Sequence, residues 1–312
     1  MPGTVEILQA GPMMTVQDPG RRGYLRYGVS ASGPMDRDSF AVANALVGND
    51  ADCAVLEFAL TGGTLRLSQD RTVAVTGGMV DIAAEGTRLA PWAAYRVRAG
   101  SEIHIGALRG AVWGYVAISG GIETAPVMGS RATHLRSAIG GHEGRRLEPG
   151  DMLPVGEDTG APLRRLVSPL RPQGGRIAVI PGPQDDYFDE AAWSLFLSKP
   201  FTVASMRDRM AMMLDGVPVR AHRGHDIVSD GTLMGSIQVP SSGRLIVLMA
   251  DRQSTGGYPK IATVASADLP RLAQAPSGSP VRFHRITAAR GEDLEREARG
   301  RLDQVLAELT ET

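Results

Sequence analysis

Short apolar runs recur along this chain: VEIL, TLRLS, RTVAVTG, YRVRAG, EIHIG, WGYVAISGG, RIAVIPG, RLIVLMAD and VRFHRI, most of them closed by glycine, proline or polar residues. Runs of that length, rich in Val and Ile and bounded by turn formers, are strands. So many of them leave barrels or sandwiches as the fold. The 38 glycines and 20 prolines act as punctuation and do not gather into low-complexity tracts. Helical periodicity is confined to three stretches. Asp36 to Val47 sets Phe40, Ala43 and Val47 on one face, with Asp36 as N-cap and Gly48 as the stop. Asp189 to Leu197 is the second, and Glu292 to Glu308 is a charged, amphipathic third.

At 312 residues the chain exceeds the usual span of one core, so two lobes are expected. The stretch GEDTGAPLRRLVSPLRPQGG, residues 156–175, has no sustained periodicity and is taken as the crossing. The expected organisation is a β-barrel lobe over 1–160, a second over 176–290, and a C-terminal helix over 291–312. GAVWGYVAISGGIETAP and GRLIVLMADRQSTGGYP share one order, namely glycine, apolar strand, polar glycine turn, proline. A duplicated barrel would produce that echo, and so would chance in a β-rich chain.

A formal net charge of −1 gives no electrostatic footprint for nucleic acid or an anionic membrane. No apolar stretch has the length of a bilayer span. The start, MPGTVEILQAG, has neither the basic nor the apolar segment of a signal peptide. Cys53 is the sole cysteine and reads as a buried small hydrophobe. Cytoplasmic location is the expectation. Several engines are excluded. A GxxxxGK[ST] phosphate loop is impossible, because Lys199 and Lys260 precede Pro200 and Ile261. Neither GxSxG nor HExxH occurs. His222 and His225 lack the further ligands of a metal set, so no metal site is expected.

Five polar constellations remain. TVQDPGRRGYLRYGVSASGPMD, residues 15–36, carries Gln17, Asp18, Arg21 and Asp36 among glycines suited to tight turns. GSRATHLRSAIGGHEGRRLEPGD, residues 129–151, sets Ser130, Arg131, Thr133 and Arg136 before a Gly-Gly pair, a pattern that suits carboxylate or phosphate oxygens and equally a surface hairpin. In MRDRMAMMLDG, Arg207, Asp208 and Arg209 read as an internal ion-pair network. IVSDGTLMGSIQVP holds Ser229 and Asp230, explained by turn chemistry, and Gln238, an amide between Ile237 and Val239. DRQSTGGYPKIATV follows the apolar run LIVLMA. There Asp251, Arg252 and Gln253 precede Gly256 and Gly257, whose freedom lets the chain fold back on a ligand, and Tyr258 and Lys260 supply a phenol and an ammonium. Lys260 is one of only two lysines, and a compact point charge suits an oxyanion or phosphoryl oxygen.

VQDPGRRG, GV-x-x-SGPMD, AN-x-LVGN, GSRAT…GGHEGRRLEPGD, SDG-x-x-x-GSIQVP and DRQSTGGYPKIATV occur in order over Val5 to Arg285. Together they resemble the biotin-dependent carboxyltransferase family, also called allophanate hydrolase subunit 2, which includes the KipA-like C-subunits of 5-oxoprolinase. The resemblance implies a mainly β fold of two tandem cyclophilin-like β-barrel lobes with a few short helices and a C-terminal helix. It also implies a catalytic component of an ATP-dependent amide (lactam) hydrolase, most plainly 5-oxoprolinase, working with a KipI-like protein and a LamB/YcsF-like protein as its two partner subunits. ATP would come with Mg2+. On this view Lys260 and Arg252 hold anionic oxygens, Asp251 is a base or orienting carboxylate, and Tyr258 and Gln238 place the carbonyl. Gln253, Gly256 and Gly257 complete that side, and Asp18, Arg21 and Arg131 form an opposing wall.

Two alternatives stand beside it. One is carboxyl transfer to urea or a similar amide from carboxybiotin carried by another protein, since no biotin-carrier motif occurs here. The other is a noncatalytic regulator that binds a KipI-like partner. Departures from the family pattern bear on substrate. Ser30 stands where proline is usual, and Ala211, Met212 and Met213 stand where Gly-Tyr-Arg is usual, which implies a more apolar pocket if those residues line it.

Overall fold

The computed structural model describes residues 3–170 and 174–311. Residues 171–173, within the expected crossing, lie outside the described residues. Strand makes up 36% and helix 19%, so the chain is mainly β, as its apolar runs require. It divides into two compact units, Met1–Arg21 with Ser32–Arg171 and Leu302–Thr312, and Arg22–Ala31 with Pro172–Arg301. The continuous lobes drawn over 1–160 and 176–290 therefore miss two exchanges. The short segment Arg22–Ala31 clusters with the second unit and the chain end with the first, because tertiary contacts, not sequence order, define a unit.

In the first unit, a six-stranded sheet runs in the order Met152–Val155, Gly3–Ala10, Thr61–Leu67, Glu102–Arg109, Met79–Ala84, Thr87–Leu89. A five-stranded sheet runs in the order Thr15–Gln17, Val55–Ala59, Trp113–Ile118, Arg71–Thr76, Ala94–Val97. The two are covered differently. Gly3–Ala10 begins with strict alternation, Val5 and Ile7 inward, as a strand with one wet face must. Val55–Ala59, Arg71–Thr76 and Trp113–Ile118 are buried at every residue. Successive side chains point to opposite faces, so uniform burial means both faces are covered.

One face, with Leu56, Phe58, Val73, Val75, Val116 and Ile118, joins Val5, Ile7, Leu65, Ile82 and Ile103 in a single core. On the other face, helix α1, Arg37–Leu46, covers Arg71–Thr76 and Trp113–Ile118. The Phe40 ring of α1 meets Tyr115 edge-on at 6.3 Å. Asp36 caps α1 as expected, its Oδ1 accepting the Asp38 and Ser39 N–H groups at 3.1 Å each.

In the second unit, eight strands run in the order Pro280–Val281, Phe201–Arg207, Ala211–Asp215, Leu245–Leu248, Ser236–Gln238, Lys260–Val264, Ile177–Pro181, Phe283–Arg285. The first and last of these are separated in the chain by Arg282 alone. One short stretch thus pairs with both ends of the sheet and nearly closes it into a barrel. Helix α2, Glu190–Ser198, is capped by Asp189, whose Oδ1 accepts the Ala192 N–H at 2.8 Å. Phe196 of α2 stacks on Phe283 at 4.7 Å, with Phe201 alongside.

Helix α3, Leu269–Gln274, was not expected, since six residues are too few to show a period. Helix α4, Ala288–Ala307, begins four residues earlier than its charge pattern suggested. The triplet before Met210 does not act as one network. Arg207 donates to the Ala273 and Ala275 carbonyls, closing the C-terminus of α3. Asp208 Oδ1 accepts the N–H groups of Met210 and Ala211. Arg209 turns to Asp251 instead.

Candidate functional site

The strand Leu245–Leu248 is apolar because it lies in the interior of the eight-stranded sheet, and it delivers Asp251 and Arg252 at its end. Register sets Met213, Ile246, Gln238 and Lys260 opposite one another across four adjoining strands. Opposed residues in antiparallel pairs share a face, so Met213 lies in the row of Gln238 and Lys260. Met212 belongs to the other face with Val247 and Ile237, and is 1% exposed. Of the two methionine departures, Met213 alone stands on the polar face. Met212 fills the barrel.

Arg209 and Asp251 form a buried two-pronged ion pair, Nε to Oδ2 and Nη2 to Oδ1, each 2.9 Å. The Asp251 N–H also donates to the Arg209 carbonyl at 2.7 Å. Asp251 is thereby fixed, with its charge matched. Its neighbour Arg252 is 6% exposed, and among the described residues its side chain makes one hydrogen bond, a long one from Nε to the Thr232 carbonyl at 3.4 Å. Among the described residues no carboxylate hydrogen-bonds to it. Burial pulls its pKa below the ordinary value, and the Asp251 charge opposes that shift. A guanidinium so little exposed and so weakly bonded is costly unless an anion completes it.

Gln238 is 1% exposed, and among the described residues its Nε2 has no acceptor. Its Oε1 accepts from Gln253 Nε2 at 3.4 Å, which turns the amide N–H groups the other way. Gly256 faces it. A Cβ there would stand 2.3 Å from Gln238 Nε2, so only glycine leaves the amide in place. Gly257 has no such neighbour, its nearest atom lying 3.6 Å from a Cβ. Gly256 and Thr255 pair with Asp230 and Gly231 as a small ribbon beside the site. Tyr258 is 41% exposed and stands at the rim.

Lys260 is 1% exposed, and its Nζ donates to Asp230 Oδ2 at 3.0 Å. Gln184 Nε2 donates to the same oxygen at 3.0 Å, and Gln184 Oε1 accepts the Lys260 N–H at 3.3 Å. The Gln184 amide and then the Lys260 ammonium pull the Asp230 carboxyl down to about 2.

In the first unit, Asp18 is 6% exposed, and its carboxylate accepts from Gly20 N–H at 2.9 Å, Ser130 Oγ at 2.5 Å and Arg131 N–H at 2.5 Å. Arg21, 2% exposed, donates to the Ala132 carbonyl and to Ser32 Oγ. Gln17 Nε2 reaches the Thr133 carbonyl at 3.2 Å. These side chains fasten the 130–133 segment from one side. The Arg131 guanidinium points elsewhere, to Glu123 at 2.7 Å, and is 28% exposed. Gly140 lies at φ +69, and a Cβ would meet the Ala132 carbonyl at 2.1 Å.

Lys260, Asp251, Arg252, Gln238, Gln253 and Gly256 are thus brought together in the second unit, with Tyr258 and Gly257 on the same loop. Asp18, Arg21 and Arg131 are joined in the first. Sequence reasoning passed over Gln184 and gave Asp230 to turn chemistry. Nothing in PGPQDD flags Gln184, since its approach depends on Gly182, where a Cβ would stand 2.1 Å from the Lys260 carbonyl.

Residues 27–285 match the family described as carboxyltransferase domain, subdomain A and B. The chain belongs to this family. As a carboxyltransferase-domain chain it is 37% identical to the 5-oxoprolinase C-subunit of Escherichia coli (strain K12) over 89% of its own length and 90% of that protein's. It is 33% identical to the 5-oxoprolinase C-subunit of Haemophilus influenzae over 96% of its length and 97% of that protein's. The crystal structure of the Kluyveromyces lactis urea amidolyase superposes with a TM-score of 0.87 at 27% identity, over 97% of this chain and 20% of that much longer one.

Proposed function

We propose that this chain is the C-subunit of an ATP-dependent 5-oxoprolinase. It opens the lactam of 5-oxoproline to glutamate in the cytoplasm, together with KipI-like and LamB/YcsF-like partner subunits. The observation that carries this is a pair of buried side chains with donors to spare, Gln238, whose Nε2 has no acceptor among the described residues, and Arg252, whose guanidinium makes a single long hydrogen bond. Attack on an amide carbonyl places negative charge on its oxygen, and fixed donors in a dry site stabilise that charge most. Near-full-length likeness to two proteins named as 5-oxoprolinase C-subunits supports 5-oxoproline as the substrate.

Within this scheme Gln238 and Arg252 bind the carbonyl oxygen, Gln253 orients Gln238, and Gly256 gives the amide its room. Asp251, matched by Arg209, positions Arg252 and is not a free base. Tyr258 contacts the substrate at the rim. Asp18 and Arg21 act through the loop they fasten, and the Arg131 guanidinium, unlike that of Arg21, is partly open to solvent. ATP supplies the free energy of ring opening. The donor set fits carboxylate or phosphoryl oxygens, whereas both nearby carboxylates are committed, Asp251 to Arg209 and Asp230 to Lys260. A hydrated Mg2+ ion therefore has no fit here and would arrive with ATP.

Carboxyl transfer from carboxybiotin is the second reading, favoured by 31% identity to urea amidolyase of Saccharomyces cerevisiae over 90% of this chain and 16% of that protein. The deciding assay measures ATP-dependent glutamate release from 5-oxoproline by the chain assembled with its two partner subunits. Turnover is expected, and Arg252→Met should lower it about a hundredfold or more. An assembled complex that releases no glutamate, yet consumes carboxybiotin with urea, would overturn the proposal.

A further inference from the structure

Lys260 Nζ and Gln184 Nε2 converge on one carboxylate oxygen, each at 3.0 Å. The Gln184 amide is held in that sense because its oxygen accepts the Lys260 N–H. The two ends of the ion pair are unlike. The Lys260 side chain is 1% exposed on a strand of the barrel, and the Asp230 side chain is 47% exposed on the outlying ribbon. Val228, two residues before it, is 93% exposed. The cation and its amide partner are therefore fixed, and the anion is on the side that faces water.

We infer that Lys260 and Gln184 form a cradle for a small carboxylate, filled here by the protein's own Asp230 and filled by the substrate's carboxylate when substrate binds. A buried ammonium cannot be left without a counter-charge, so Asp230 leaves only when another anion replaces it. Turning one half-exposed side chain out to water suffices for the exchange. Asp230 keeps a local partner as it turns, since its Oδ1 accepts the Gly231 N–H at 2.8 Å. The identity of the incoming anion rests on the 5-oxoprolinase reading.

That reading fits the spacing. Lys260 and Gln238 are opposed on neighbouring strands, at a bulge that leaves Ile261 unpaired, and such strands lie about 4.8 Å apart. In 5-oxoproline the carboxylate and the lactam carbonyl sit on the two carbons flanking the ring nitrogen, a comparable separation. A carboxylate on Lys260 and Gln184 therefore brings the carbonyl oxygen to the unpaired Gln238 Nε2. The neighbouring Ile246 and Met213 continue the row as an apolar surface suited to ring methylenes. Urea carries neither carboxylate nor methylene.

The test is calorimetric titration of the full chain with acetate, 5-oxoproline and 2-pyrrolidinone, the same lactam without its carboxylate. Asp230→Asn removes the internal competitor, and both carboxylates should bind it about tenfold tighter than wild type, while 2-pyrrolidinone is unchanged. Gln184→Leu, which leaves Lys260 paired with Asp230, should weaken both carboxylates several-fold. Carboxylate affinities that respond to neither substitution, or 2-pyrrolidinone responding equally, would overturn the cradle and leave the hydrolase reading standing. Acetate responding as stated, with 5-oxoproline binding no better than acetate, would keep the cradle and remove 5-oxoproline as its occupant.

Discussion

Gly256 and Gly257 are adjacent and look equivalent in the sequence, yet they make different demands. A Cβ on Gly256 runs into the end of the Gln238 side chain, a flexible group that can move aside. Gly256→Ala should therefore displace the amide without unfolding the protein. Turnover of the assembled complex is expected to fall about a hundredfold, the effect of misplacing a contact by roughly an ångström, with little change in Tm. Gly257→Ala should change neither. Equal effects of the two substitutions on turnover would take Gln238 out of the site. The same contrast separates the two methionines, where Met213→Ser should disturb substrate binding and Met212→Ser should disturb the barrel.

The loop and strand ends that carry the site are held by buried charge. Removing Arg209 alone strands Asp251 as an unmatched buried carboxylate. Arg209→Met is expected to lose about 3–5 kcal/mol in urea unfolding, and Arg209→Met with Asp251→Leu should recover most of it. A double variant as unstable as the single one would mean that the pair is not the source of the loss. In the first unit, Asp18 fastens the 130–133 segment together with the Thr133 N–H to Val16 carbonyl bond. Asp18→Ala removes hydrogen bonds to Gly20, Ser130 and Arg131 and should cost about 2–4 kcal/mol. Faster hydrogen exchange should then be confined to that segment and its neighbours. Arg207 does similar work at the end of α3. Burial draws its pKa to about 10, so it stays cationic at neutral pH and holds the helix carbonyls.

Acid sensitivity can be traced to a specific carboxylate. Asp230 lies at about 2 when folded, against about 3.9 for an unperturbed aspartate. A carboxyl held low binds protons more weakly in the folded state than in the unfolded one. Its stabilisation is therefore complete above about pH 4 and disappears as pH falls through about 2. Asp230→Asn should flatten the loss of stability across that window in acid unfolding followed by circular dichroism. An unchanged slope would show that Asp230 is not held by Gln184 and Lys260 in solution. Arg145 likewise holds Asp151 below the ordinary range in the first unit, so that unit keeps an acid response of its own in the variant.

Much of this was legible before any coordinates. Strand-length apolar runs demand a mainly β fold, and Asp36 and Asp189 announce helices because a cap is a local interaction between near neighbours. The rarity of lysine marked Lys260, and a lone amide between Ile237 and Val239 marked Gln238. Tertiary structure decided the rest, and the reason is distance along the chain. Asp251 finds Arg209 across 42 positions, Lys260 finds Asp230 across 30, and Lys260 N–H finds Gln184 across 76. Asp18 reaches Ser130 across 112. No local pattern encodes such partners. Sequence determined which groups carry charge and which segments become strands, and the tertiary meeting of strands and loops decided which charges are matched and which donors are left open.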